Sequence, residues 1–216
     1  RYAPAYVGLA EAYVLASDSY MPANERWPKA KEAVLNALAL DDRLGEAHGM
    51  LARVLAYYEW DWTSAEREFR RAIQLNPGIA LTHSWDGFFL ATLGRSKESI
   101  GELERAQQLD PLSSPIYVNA GRALYYAGQY DRAIEQFQGA IELQPDYWLA
   151  PLCLRMAYEE RGLYAEAIAE YRKTGPLGLP DGPAWVARGL AVSGNRVEAR
   201  KTLDELMLAK PPRVSS

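Results

Sequence analysis

Apolar residues recur along this chain at steps of three and four, the spacing of a helix that buries one face. Leu51, Ala52 and Leu55 lead into Ala65, Phe69 and Ala72; further on, Ala120, Gly121 and Leu124 lead into Ala133, Phe137 and Ala140. The pattern predicts pairs of amphipathic helices, and breakers punctuate the pairs at a fixed interval. Pro77, Pro111 and Pro145 stand 34 residues apart, and Gly94, Gly128 and Gly162 keep the same spacing. Ala133 and Ala167, Tyr130 and Tyr164, and Phe137 and Tyr171 fall in that register too. Glycine suits the tight turn after a first helix, where positive φ is cheap only without a Cβ. Proline closes the second helix, which it cannot continue. Units of this length bury their apolar faces against their neighbours, so the chain reads as an array.

The clearest unit runs over 112–145. The unit before it carries Gly87, Leu90, Gly94, Leu103, Ala106 and Pro111, with Ser99 where alanine is usual. In the unit at 43–77, His48 and His83 lie 35 residues apart, so the turn at 58–62 holds one extra residue. The first unit places Tyr6, Leu9, Ala10 and Tyr13 on one helix and Ala30, Val34 and Ala37 on the next, across a longer connection at 17–27. After Pro145 come Tyr158, Gly162, Tyr164, Ala167 and Tyr171, then a Gly/Pro-rich connector at 175–183. The last unit holds Trp185, Ala187, Leu190, Gly194, Ala199 and Leu203. The expected organisation is one array over 1–216, with repeats near 3–42, 43–77, 78–111, 112–145, 146–179 and 180–210 and a tail at 211–216.

The unit at 112–145 resembles the tetratricopeptide repeat (TPR), with Tyr117 at the family's usual Trp site and Leu124 at its Tyr site. The likeness extends from Ala3 to Ala209 and is strongest over 45–171. It implies an all-α fold, a right-handed α-solenoid of about six helix-turn-helix repeats. It also implies a concave groove lined by the first helix of each repeat. Carried over position by position, groove-facing residues are Arg53, Tyr57, Ser84, Phe88, Arg122, Tyr125, Met156, Glu159 and Arg188, with Trp85 and Asn119 at the edge. Arg53, Arg122 and Arg188 share one register of alternate units, with Phe88 and Met156 between them. Such alternation fits a protein or peptide carrying carboxylates and apolar anchors. The competing reading is that these arginines are solvated and pair with nearby Glu. The Lys and Asn clamp that the family uses for acidic chaperone tails is absent, since Val7, Gly49, Ser84, Val118, Leu152 and Ala184 hold its lysine register.

Composition narrows the function classes. A net charge of -4 argues against a general nucleic-acid surface, and no apolar run reaches the roughly 18 residues of a membrane span. Cys153 is the single cysteine, so no internal disulfide forms; within its apolar helix it reads as a small hydrophobe. His48 and His83 occupy the repeat's Trp slot and read as packed core residues, with no Cys or Asp cluster to make a metal site. The stretch at 93–97 lacks the glycine and Gly-Lys-Ser/Thr ending of a phosphate loop. Tyr57, Tyr58, Trp60 and Trp62 are expected to staple the enlarged turn to the preceding long connection, the alternative being an exposed partner patch. No catalytic constellation emerges, so neither enzyme activity nor a cofactor is expected.

Three stretches, at 2–10, 55–72 and 125–134, resemble the C-terminal TPR arrays of large bacterial signalling and transcriptional regulatory proteins. That likeness implies a cytoplasmic docking or regulatory module cut from a longer chain, in keeping with a sequence that opens on Arg1. The alternative function is structural: self-association or domain positioning, with the groove unused.

Overall fold

The computed structural model describes residues 2–16, 20–174 and 182–208. Regular structure among them is entirely helical. In chain order the helices are α1 (Ala3–Leu15), α2 (Ala23–Leu40), α3 (Gly45–Val54), α4 (Trp62–Leu75), α5 (Ala80–Thr92), α6 (Ser96–Leu109), α7 (Ser114–Tyr126), α8 (Tyr130–Leu143), α9 (Leu149–Glu160), α10 (Tyr164–Thr174), α11 (Gly182–Val192) and α12 (Arg196–Leu208). A π-helical turn, Leu55–Glu59, extends α3. The chain forms two compact units, Arg1–Pro111 and Leu112–Ser216, each holding three helix pairs.

In the first unit α1/α2, α3/α4 and α5/α6 pack as pairs, and the first helices also touch in succession, α1 on α3 and α3 on α5. Small residues permit the close approach and aromatics fill what remains. Ala52, Ala56 and Ala65 surround Phe69 and Phe89, whose rings tilt together at 5.5 Å. Ala10, Ala30, Ala33 and Val34 form a second cluster with Met50 and Val54. In the second unit α7/α8, α9/α10 and α11/α12 pair, and Phe137 sits among Val118, Leu124, Ala133, Ala140 and Ala150. Full burial of each such side chain contributes roughly 1.5–3 kcal/mol. Ile168, Leu190 and Ala199 continue the core toward α12, where Leu203, Met207 and Leu208 lie exposed.

The periodic glycines do what the spacing predicts. Gly94, Gly128, Gly162 and Gly194 all take positive φ, from 72° to 91°. Each is followed by an amide that reaches back five residues, such as Arg95 N–H to Leu90 O at 3.0 Å and Gln129 N–H to Leu124 O at 2.9 Å. That bond satisfies a carbonyl the helix end would otherwise orphan. Between α3 and α4 the residue in this position is Trp60, the one described non-glycine residue with positive φ, at 59°. Here Trp60 N–H reaches back five residues to Leu55 O, closing a π-helical ring, and Asp61 N–H reaches the same carbonyl at 3.0 Å. The extra residue seen in the spacing is thus taken up inside the turn as a π-helical ring, and Asp61 then caps α4 by accepting from Ser64 N–H at 3.0 Å.

Trp60 is 69% exposed, so its strained backbone is not compensated by packing. Trp60→Gly is expected to leave stability unchanged or to raise it by up to about 1 kcal/mol, read from the urea unfolding midpoint.

The connection at 17–27 is shorter than the sequence pattern suggests. α2 begins at Ala23, with Pro22 at its N-cap and Pro28 inside the helix. Of the predicted aromatic staple, only Tyr58 behaves so: it stacks on Trp27 with ring centroids 6.0 Å apart, beside a Lys31–Glu59 ion pair at 2.5 Å. Trp60 and Trp62 point to solvent instead, because the extra residue carries them past the end of α3. The connector at 175–181 and the tail at 211–216 lie outside the described residues.

Candidate functional site

The predicted groove residues divide between the two units. In the second unit, Arg122 and Tyr125 are one turn apart on α7, while Leu149, Leu152, Cys153 and Met156 follow helical spacing on α9. Together with Tyr126 and Phe137 they line a cavity of about 190 Å³. Its walls are mainly apolar, with the Arg122 guanidinium as its cation. Tyr125 packs edge-on against Tyr126 and Tyr130 and donates its hydroxyl to Glu160 Oε1 at 3.4 Å. Asn119, one turn earlier on α7, is half-buried.

Glu159 and Arg188 are committed to each other. Arg188 bonds Glu159 Oε2 at 2.7 Å, and Arg155 bonds Glu159 Oε1 at 2.8 Å. Both guanidinium groups also lie over the Trp185 ring, at 5.4 and 4.9 Å from its centroid. For Arg188 the competing reading, a guanidinium paired with nearby Glu, is therefore the observed one. Arg155 was not singled out by the sequence reading, yet it is only 4% exposed. It holds the register occupied by Gly121 one repeat earlier, and that large-for-small exchange was the available signal.

In the first unit the predicted residues pair across α3 and α5. The Arg53 guanidinium lies 4.3 Å from the centroid of Trp85, and Tyr57 tilts against Phe88 at 6.0 Å. Ser84 and Phe88 are buried, which removes them as ligand-facing positions. The Phe88 ring lies against Tyr57.

His48 and His83 are packed as expected but are also polar hubs. His48 faces Glu68 Oε2 at 2.7 Å and Asp42 O at 2.9 Å; His83 faces Glu102 Oε2 at 2.6 Å and Pro77 O at 3.0 Å. For His83 the Glu102 bond outweighs burial and holds the imidazole above its ordinary range. Burial pushes the Cys153 thiol up to about 11 against the weaker pull of Arg122 and Arg155, so it is protonated at neutral pH and a poor nucleophile. Among the described residues no three His, Cys, Asp or Glu side chains come together as metal ligands. No described helix is long and apolar enough to cross a membrane.

Residues 118–175, spanning most of the α7/α8 pair and α9/α10, match the family model for the tetratricopeptide repeat. Those two helix pairs match tetratricopeptide repeats. A relative in Xenopus laevis, tetratricopeptide repeat protein 37, is 28% identical over 186 residues, covering 84% of this chain. The aligned part is only 11% of that protein's length, and the chain spans no more than about a quarter of the other leading relatives. Among solved structures, PilW, a type IV pilus biogenesis factor, superposes with a TM-score of 0.78 over 95% of this chain and 92% of its own, at 20% identity. The human IFIT1 dimer with m7Gppp-AAAA gives 0.74 over 98% of this chain and 51% of its own, at 16% identity. At those identities the likeness is one of TPR fold alone.

Proposed function

We propose that this chain is a protein- or peptide-binding TPR scaffold, serving as a docking or regulatory module of a larger bacterial signalling protein. The observation that carries the reading is the α7–α9 cavity, in which Leu149, Leu152 and Met156 offer an apolar wall beside the Arg122 cation. An apolar anchor followed by a carboxylate matches that pairing, since a guanidinium binds carboxylate through two parallel hydrogen bonds. Net charge of -4 favours a polypeptide over the capped RNA seen with IFIT1, because phosphate backbones need clustered cations. Arg53, which lies over Trp85, and Arg188, which bonds Glu159, do not line that cavity.

The test is a library of peptides bearing an apolar residue and a terminal carboxylate, screened against the wild-type chain and an Arg122→Ala/Met156→Ala variant. A selected peptide is expected to bind the wild type at least tenfold tighter, with helical circular dichroism unchanged in the variant. Equal binding by both proteins, or no binder at all, sinks the reading. Concentration-dependent self-association unaffected by the double substitution, measured by sedimentation, then favours the structural alternative, with exposed Trp60, Trp62, Met207 and Leu208 as its contacts.

A further inference from the structure

One position in the first unit breaks the apolar pattern of the repeats. The register that holds Leu51, Ala120 and Leu154 in three repeats holds Asp86 in the fourth. Asp86 is on α5 and is only 9% exposed. Among the described residues no donor reaches its carboxyl oxygens, although every neighbouring carboxylate has one. Glu66 accepts from Arg70 at 3.1 Å and Arg95 at 2.9 Å, Glu98 takes two bonds from Arg95 at 2.7 and 2.6 Å, and Glu102 faces His83 at 2.6 Å.

Asp86 lies in the wall of a cavity of about 440 Å³, formed wholly within the first unit by α4, α5, the Arg95 turn and α6. Its polar lining comprises Glu66, Asp86, Glu98 and Glu102 against Arg70 and Arg95, which leaves it two charges negative when Asp86 is ionised. Protonated His83, beside Glu102 on the same helix as Asp86, still leaves one negative charge uncompensated. Ile73 and Leu90 supply an apolar flank. A buried carboxylate without a donor is costly, and the cost is removed by a cation that arrives with its own donors.

We propose that this cavity is a binding site for a lysine or arginine side chain of a partner polypeptide, with Asp86 as its central acceptor and Ile73 and Leu90 against the alkyl stem. The site shares no residue with the α7–α9 cavity and stands or falls separately from the function proposed above. A single ammonium or guanidinium with a three- or four-carbon stem suits the volume and the charge. Burial, reinforced by Glu102 and Glu66, pushes Asp86 up to about 7, with Arg95 and His83 opposing. A bound cation must displace that proton, so affinity rises with pH through neutrality.

The experiment uses the whole chain, labelled for backbone amide NMR and titrated with N-acetyl-lysine amide, N-acetylarginine amide and the uncharged N-acetylnorleucine amide. The expected result is saturable shifts confined to 66–74 and 86–102 with one or both cations, at dissociation constants of roughly 1 mM. Affinity should fall about tenfold between pH 8 and pH 6 as the ionised fraction falls. The two cationic probes separate ammonium from guanidinium preference. Asp86→Asn, which keeps the shape, and Asp86→Leu, which restores the residue of two other repeats, should both abolish saturation. Shifts that persist in both variants, that are matched by the norleucine probe, or that fail to saturate by about 50 mM overturn the proposal.

Discussion

Asp86→Leu is expected to stabilise the protein at pH 8, with the gain shrinking steadily toward pH 5. The folded Asp86 carboxyl is raised from 3.8 to about 7, chiefly by burial, so the folded state holds a proton that the unfolded chain releases. Stability linked to this group is therefore fully present below its unfolded value and is lost as pH rises through about 7. A shift of about three pH units corresponds to at most roughly 4 kcal/mol, since one unit is about 1.4 kcal/mol. Leucine carries no charge and already stands at this register in Leu51 and Leu154. Thermal midpoints followed by circular dichroism from pH 5 to pH 8.5 should show the two proteins converging at the acid end. A residual slope remains in the variant from His83, whose raised imidazole likewise favours the folded state below its ordinary range. A variant less stable than wild type at pH 8 would mean that the carboxylate is stabilised by its surroundings, not penalised.

Gly121→Ala should cost about 1–3 kcal/mol despite alanine's better helix propensity. A Cβ at this position would stand 2.4 Å from Phe137 Cε1 and 2.7 and 2.8 Å from two further ring atoms. The ring has nowhere to go: Phe137 is 1% exposed and enclosed by Val118, Leu124, Ala133 and Ala140. Phe137→Ala alone should cost about 3–5 kcal/mol through lost burial and the cavity left behind. In that background the sign of the glycine substitution should reverse, because the methyl group enters the vacated space and the helix gains about 1 kcal/mol. Urea unfolding of the two single variants and the double variant checks it. Additive losses would show that the clash is relieved by helix movement and that the pair is not coupled.

Much of the fold was legible because spacing is a property of the chain alone. The 34-residue interval located the turns, and Gly94, Gly128 and Gly162 took the positive φ that only glycine accepts cheaply. The irregular turn after α3 was visible as one surplus residue, but its π-helical form depends on which carbonyl Trp60 reaches, and spacing does not contain that. Family positions named as groove-facing Arg122, Tyr125 and Met156, which line one cavity. They failed for Ser84 and Phe88, since a helical register states a direction and not what already occupies it. Asp86 and Arg155 could have been found by reading down each register for a charge among small or apolar residues. What they do there could not, because the orphaned carboxylate and the Glu159 bridge arise from distances among several helices.

The π-helical ring between Leu55 and Trp60 has a consequence for counting and splicing such arrays. An insertion within a helix would rotate every later side chain by about 100° and carry its apolar stripe off the core. Here the surplus residue is absorbed before α4 begins, so Ala65, Phe69 and Ala72 remain inward and nothing downstream loses phase. Length variation can thus accumulate at these turns without penalty to the modules on either side. A rigid 34-residue ruler slips at such a point, and the place to permit a gap, or to join segments taken from different arrays, is the left-handed residue.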